Sequence, residues 1–244
     1  MNLTKIKGTK DIVGQEVLLW QKIEQEVYQL AHAFHFLEIR TPIFEFSEVF
    51  KRAIGTETDI VSKEMFELTD RGGRNMVLRP EGTAGVVRAF CENQLFLNKN
   101  QRFFYLGPMF RAERPQKGRQ RQFHQIGVEI FSNPSYYADL DIINFNIQLL
   151  NILGLSQYQL KINSVGCPQC RPSYLEALKN YLAPHIQDMC AHCQTRFETN
   201  LLRVLDCKEE KCTQINNQAP SILEFLCSSC LPHFNGVKEG LETL

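Results

Sequence analysis

The chain has 244 residues, 43% of them hydrophobic, enough for one large or two modest domains with their own cores. Its 27 Lys and Arg balance 27 Asp and Glu, which excludes a global field drawing the molecule to nucleic acid or membrane, so any attraction for polyanions must be local. The opening MNLTKIKGTKDIVG has no apolar run before a small-residue cleavage site and no stretch of about eighteen apolar residues occurs, so the chain reads as cytoplasmic with no membrane partner.

In chain order, apolar Val17, Trp20, Ile23, Val27, Leu30, Ala31 and Phe34 recur at three- and four-residue spacing, which predicts one buried face of a helix over 15–35. Phe36 to Ile39 reads as a strand, and FEFSEVFKRA as a short helix ended by Gly55. MFELTD and NMVLR flank RGGR, a hairpin signal, and Pro80 stops the second run. TAGVVRAFCENQL returns to helical spacing, with Thr83 placed to serve as its N-cap and Cys91 reading as plain packing. RFFYL, MFRAE and QFHQIGVEIF are three β-rich runs, and YYADLDIINFNIQLLNILG is a helix with Gly154 where a C-terminal cap belongs. Neighbouring hairpins with helices before and after predict an α+β fold, an antiparallel sheet flanked by helices. No P-loop or dinucleotide-type Gly-rich loop is present.

Composition shifts near residue 160, and a domain boundary is drawn there: 1–160, then a cysteine-rich region over 161–244. QYQLKIN reads as a strand, and Ser173 to Glu176 and Ser221 to Glu224 match the S-x-x-E capping box, which predicts helix starts at both places. Eight of the nine cysteines fall in this region, as Cys167 and Cys170, Cys190 and Cys193, Cys207 and Cys212, and Cys227 and Cys230. In a reducing compartment paired thiols point to metal more often than to disulfides, and two-residue spacing lets both thiolates reach one ion. The expectation is structural Zn²⁺ with four or eight ligands, His185, His192 and His233 being nearby substitutes; reduced, buried cysteine in a small domain is the plainer alternative.

The stretch FRAERPQKGRQRQFHQIGVEI concentrates Arg111, Arg114, Lys117, Arg119 and Arg121 in one loop. Those cations repel one another unless solvated or facing an anion, and arginine forks match phosphate oxygens. Strand alternation then puts Phe123, Gln125, Gly127, Glu129 and Phe131 on one face, and His124, Ile126, Val128 and Ile130 on the other. The same alternation in MFRAE puts Arg111 and Glu113 on a common face. A glycine between an amide and a carboxylate predicts a notch floored by backbone, where a ligand approaches closely. Glu81, in LRPEGTAG, reads either as ordinary complementation of a helix dipole or as a carboxylate receiving an ammonium group beside Glu129.

These residues carry a resemblance to a known family. FLEIRTPIFE resembles motif 1 of class II aminoacyl-tRNA synthetases, and FRAERPQKGRQRQFHQIGVE resembles motif 2 in the form found in histidyl-tRNA synthetases. KGTKDI, LRPEGTAG, NSVGCPQCR and RVLDCK are similar to bacterial members, with Val13-Gly14 and Leu202 as minor departures. The resemblance implies a class II catalytic core over 1–160, and ATP-dependent activation of L-histidine to histidyl-adenylate followed by transfer to tRNA(His). It implies that Arg111 holds the α-phosphate of ATP, Glu113 meets the adenine amino group, Phe123 stacks on adenine, and Arg119 contacts ATP and later the tRNA end. Glu81, Thr83, Gln125 and Glu129 would bind the amino and imidazole groups of histidine, Mg²⁺ would accompany ATP, and the enzyme would be a homodimer. The family pattern places GVKEGLETL inside an insertion domain between motifs 2 and 3, so the expectation is an incomplete core and a truncated insertion, inactive in aminoacylation by itself. Two other readings stand beside this one: a synthetase-like regulatory paralogue, which would lose catalytic groups such as Arg111, Glu113 and Arg119, and a zinc-bearing RNA-binding module, which leaves Glu81 and Glu129 unexplained.

Overall fold

The computed structural model describes residues 3–55 and 58–243. The fold class is α+β, and the chain divides into two compact units, one of residues 1–134 and 138–157, the other of residues 135–137 and 158–244. Among the described residues no helix is long and apolar enough to cross a membrane.

The first unit begins with helix α1 (Gln15–Ala33), whose C-terminal half is the buried part, through Val27, Leu30 and Ala31. Strand β1 (Leu37–Glu38) and strand β2 (Phe44–Phe46) lead into helix α2 (Ser47–Ile54), capped by Gly55 at φ 92°. The stretch read as a helix over FEFSEVFKRA therefore opens as a strand. Its first residues pair with β4 (Asn75–Leu78), Phe44 opposite Leu78, and a pairing edge overrides local helical preference. Strand β3 (Phe66–Thr69) pairs with β4 through the expected hairpin. Its turn is closed by Asp70, whose Oδ1 accepts from the N–H groups of Gly72 at 2.8 Å and Arg74 at 2.9 Å.

Helix α3 (Thr83–Glu92) precedes the long strands β5 (Arg102–Phe110) and β6 (Gln122–Ile130). RFFYL and the start of MFRAE are one continuous strand, and the strand ends at Phe110, before Arg111. A fully antiparallel sheet was expected, but β1 runs parallel to β5. The result is one mixed sheet of order β1-β5-β6 and a separate antiparallel sheet of order β2-β4-β3. The long connection from β1 to β5 permits the parallel pairing, which no two-residue turn could make.

Ile126, Val128 and Ile130 of β6 pack against Val27 and Leu30 of α1 and against Phe145 and Leu149 of helix α4 (Tyr136–Ile152), so the aliphatic face of β6 is the one turned to the core. Phe145, 1% exposed, meets Phe34 and Phe36 edge-on at 5.6 and 5.5 Å. Truncating a ring packed this way costs about 3–5 kcal/mol. Helix α4 closes as expected: Leu155 N–H reaches Leu150 O at 2.8 Å and Gly154 N–H reaches Asn151 O at 3.0 Å around Gly154 at φ 74°. Cys91 is exposed on α3, so it is not the packing residue that its place in an apolar pattern suggested.

The second unit contains helices α5 (Arg171–Leu182), α6 (Ala191–Thr199), α7 (Glu210–Asn216) and α8 (Cys230–Glu242). Its core gathers Tyr174, Leu178, Leu182, Met189, Cys193, Val204, Cys212 and Ile222. QYQLKIN is not a strand; alternation alone makes none where no neighbour completes a ladder, and this segment is largely exposed. Helix α5 starts two residues before Ser173, with Pro172 in its first turn, so the first S-x-x-E match lies inside the helix and caps nothing. The second is a real capping box: Ser221 and Glu224 each accept the other's backbone N–H, at the head of a 3₁₀ turn over Ile222–Phe225.

Candidate active site

The antiparallel register of β5 and β6 sets Met109 opposite Phe123, Gly107 opposite Gln125, Tyr105 opposite Gly127 and Phe103 opposite Glu129. Opposed residues share a face, so one side of this ribbon carries Phe123, Gln125 and Glu129 together with Tyr105. The notch expected at Gly127 is filled. A Cβ on Gly127 would lie 2.2 Å from the Tyr105 ring, and a Cβ on Gly82 would also lie 2.2 Å from it. Both glycines are therefore required by a ring inserted between the α3 entry and β6. Alternation along RFFYLGPMF was the available signal for Tyr105, because it puts Phe103, Tyr105 and Gly107 on one face.

Around that ring the polar groups interlock. Thr83 Oγ1 donates to Glu129 Oε1 at 2.7 Å, and Gly82 N–H donates to Gln125 Oε1 at 3.1 Å. Glu81, not Thr83, caps α3: its two oxygens accept from Thr83 N–H at 2.6 Å and Ala84 N–H at 2.9 Å. Thr83 is already the first helical residue, which leaves its hydroxyl to face β6. Burial raises the Glu129 carboxyl above its ordinary range; the Thr83 hydroxyl pulls it down and the Glu81 charge pushes it further up. Burial lifts the Tyr105 phenol to about 12, opposed by Thr83 and reinforced by Glu129 and Glu81. Beneath them Arg79, 8% exposed, donates to Thr41 O and Pro108 O, each at 2.9 Å. Gly107 leaves room for its guanidinium, which a Cβ would approach to 2.5 Å. Neither Tyr105 nor Arg79 was among the residues expected from the sequence.

The basic segment continues the ribbon. Arg111 N–H bonds to Arg121 O at 2.9 Å, and Gln116 and Arg119 exchange backbone hydrogen bonds around Lys117 and Gly118, where Gly118 has φ 79°. Arg121 N–H also bonds to Gly8 O at 2.7 Å, so the KGTK segment near the start of the chain braces the loop. Arg111 Nε donates to Pro80 O at 3.0 Å, and its guanidinium lies over the Phe123 ring, 5.0 Å from the centroid. Glu113 draws the arginines together, with Arg119 Nη1 at 3.3 Å and Arg111 Nη1 at 3.8 Å. Glu64 adds a second carboxylate, which sequence reading missed: its carbonyl accepts from Ala112 N–H at 2.7 Å, and burial, with Glu113 nearby, raises its carboxyl. Arg114, Lys117 and Arg119 are exposed. The structure thus brings Glu81, Thr83, Gln125 and Glu129 into one polar cluster and Arg111, Glu113 and Arg119 into another, with Phe123 beside Arg111.

In the other unit the eight cysteine sulfurs form two groups of four, Cys167 with Cys170, Cys227 and Cys230, and Cys190 with Cys193, Cys207 and Cys212. Within each group all the sulfurs lie within 4.8 Å of one another, and neither group includes a histidine. All eight are free thiols, and Cys170, Cys193 and Cys212 are buried. Four convergent soft donors are a donor set suited to a thiophilic metal.

The model of the family described as histidyl-tRNA synthetase matches residues 8–179. Over the full length of the chain, 48% of residues are identical to the histidine–tRNA ligase of Desulforamulus reducens and 48% to that of Pelotomaculum thermopropionicum. The chain spans 58% of the length of each of these relatives. The crystal structure of apo S. aureus histidyl-tRNA synthetase superposes with a TM-score of 0.77 at 33% identity, covering 99% of this chain and 55% of that one.

Proposed function

The chain belongs to the histidyl-tRNA synthetase family, and from that premise we propose that residues 1–160 carry the amino-acid-activating core of a histidine–tRNA ligase acting in the cytoplasm, with L-histidine, ATP and tRNA(His) as substrates and a homodimer as its assembly. The observation that carries this reading is the adjacency of two unlike clusters where the α3 entry meets the β5–β6 ribbon, Arg111 bonding to Pro80 O beside Glu81. Glu81, Thr83, Gln125 and Glu129 suit a small zwitterion, and Arg111, Glu113, Arg119 and Phe123 suit a nucleotide.

In the first step a carboxylate oxygen of histidine attacks the α-phosphorus of ATP, the bond to the β-phosphate breaks, and histidyl-adenylate and pyrophosphate form. In the second, the terminal hydroxyl of tRNA attacks the activated carbonyl and AMP departs. No protein nucleophile is needed; the work is holding two anions in line and neutralising developing charge. Arg111 meets the α-phosphate and Arg119 the remainder of the nucleotide and then the tRNA end. Glu113 receives the adenine amino group, and Phe123 offers its ring to the base. Mg²⁺ bound to the triphosphate would supply further charge neutralisation. Glu81 and Glu129 take the ligand ammonium and imidazole groups with Thr83 and Gln125, and Tyr105 fills the space between Gly82 and Gly127 beside them. An analogue lacking the imidazole hydrogen bonds leaves these polar groups unpaired, a loss that reaches about 10⁴–10⁵ in specificity where such a site closes over its ligand. A regulatory paralogue is not favoured, because Arg111, Glu113 and Arg119 are all present and held together.

We also read residues 161–244 as the cysteine-rich insertion of this family and assign its thiolates to structural zinc. The activity is tested by histidine-dependent ATP–pyrophosphate exchange, measured on the 244 residues alone and on a chimaera joining them to the part of the Desulforamulus reducens relative that they do not span. Exchange in the chimaera that requires histidine and is abolished by Arg111→Ala supports the assignment. Exchange driven equally by other amino acids, or none in a folded chimaera that binds ATP, overturns it.

A further inference from the structure

Resting on the zinc reading above, we propose that the cysteine unit holds two separate Zn²⁺ ions in nested sites, an outer one bound by Cys167, Cys170, Cys227 and Cys230 and an inner one bound by Cys190, Cys193, Cys207 and Cys212. Spacing in the sequence favours a different partition, in which successive pairs share an ion: the first CxxC with the second, the C-x₄-C with the last CxxC. The fold instead joins the outermost pairs to each other across sixty residues and leaves the middle pairs to close on themselves.

The distances suit one ion per group. A tetrahedron with about 2.3 Å from centre to corner has an edge of about 3.8 Å. Cys167 Sγ lies 3.6 Å from Cys170 Sγ and 3.7 Å from Cys227 Sγ, and Cys190 Sγ lies 3.8 Å from Cys207 Sγ. A disulfide would bring a pair to about 2.0 Å, so these are thiols around a common centre and not bridges. The bound on each group, 4.8 Å for its widest separation, leaves room for a single ion and not for an iron–sulfur cluster, whose ligands are spread by the cluster itself.

Packing of inert thiols does not account for the arrangement. Cys167, Cys190, Cys207, Cys227 and Cys230 are only partly buried, so removal from water is not what gathers them. Backbone donors are aimed at the sulfurs: Gln169 N–H at Cys167 Sγ (3.3 Å), Cys227 N–H at Cys170 Sγ (3.1 Å) and Cys190 N–H at Cys212 Sγ (3.3 Å). Such donors stabilise thiolate charge and orient ligands. The outer cysteines stand at the heads of α5 and α8, and the inner ones at or near the heads of α6 and α7, where the positive ends of the helices offset the double negative charge of a tetrathiolate site. Among the described residues the main buried cluster of the unit has eight side chains, two of them ligands of the inner site, so the unit has reason to be stapled twice.

The test is metal content of the full chain purified under reducing conditions, with zinc and iron both measured, followed by two double variants. We expect about two zinc ions per chain, one retained in Cys167→Ser/Cys227→Ser and none in Cys167→Ser/Cys190→Ser. Successive pairing predicts the reverse, none in the first variant and one in the second, and that result overturns the partition while leaving zinc in place. Absence of zinc in the unsubstituted chain overturns both the partition and the zinc reading, as does iron in its stead. Should the variants fail to fold, Co²⁺ substitution of the unsubstituted chain decides: two equivalents with tetrahedral tetrathiolate absorption are expected, and saturation at one equivalent overturns the proposal.

Discussion

The ring of Tyr105 occupies the space that a side chain on Gly127 would need, because the two residues face each other across β5 and β6 and a Cβ on the glycine would come within 2.2 Å of the ring. The contact explains why β6 tolerates a glycine at its centre. The same ring also excludes a side chain at Gly82, at the entrance to α3.

Gly127→Ala should therefore destabilise the first unit by about 1–3 kcal/mol through overpacking, and weaken histidine binding by displacing Gln125 and Glu129. Thermal denaturation and calorimetric titration of Gly127→Ala, Tyr105→Ala and the double variant would check this. The double variant should be less destabilised than the sum of the singles, since the two substitutions share one space. Strict additivity would mean that the ring yields without consequence.

Arg111→Ala should lower adenylate formation in the chimaera by about a hundredfold to a thousandfold while leaving the melting temperature close to that of the parent. The side chain contributes one hydrogen bond to Pro80 O, one ring contact and a 3.8 Å ion pair with Glu113, and Glu113 keeps Arg119 when it is gone. Single-turnover measurement with saturating ATP separates this from simple loss of nucleotide binding. A variant that exchanges pyrophosphate normally would remove Arg111 from the mechanism.

The raised carboxyl of Glu129 predicts a pH dependence with a definite sign. A ligand ammonium favours the carboxylate, so affinity is full above the raised pKa and falls as pH drops through it, by about tenfold per unit at the limit. Stability responds the other way: the folded state holds this proton more tightly than the unfolded chain, so destabilisation by Glu129 grows as pH rises from the unfolded to the folded value. Because histidine itself titrates nearby, the measurement is the difference between the binding profiles of the parent and Glu129→Gln. The variant should also lose more affinity for histidine than for ATP; equal losses would mark Glu129 as a structural group.

Removing metal from the cysteine unit should unfold residues from about 158 onward and spare the sheet unit, since binding energy at such sites is folding energy. Hydrogen exchange before and after chelation would show protection lost on α5 to α8 and retained on β5, β6 and α4. Protection that persists throughout would mean that the thiols are core packing.

The helices α1, α3 and α4, the β3–β4 hairpin and the alternation of β6 were all legible in the sequence, because each depends on residues close together in the chain. Glycine at 55 and 154, apolar spacing along α1, and the aliphatic and polar faces of QFHQIGVEI are local facts. The family motifs around Glu81 and Arg111 were legible for the same reason, and the family model matches residues 8–179. What the sequence by itself could not determine were relations among distant residues: that β1 runs parallel to β5, that Glu81 caps α3 and so frees Thr83 for Glu129, that Tyr105 fills the place of a missing side chain, and that Cys167 faces Cys227 and not Cys190. Local preference is set within a few residues, whereas register, cap choice and thiol partnership are settled only when packing brings remote segments into contact and each buried polar group must find its partner.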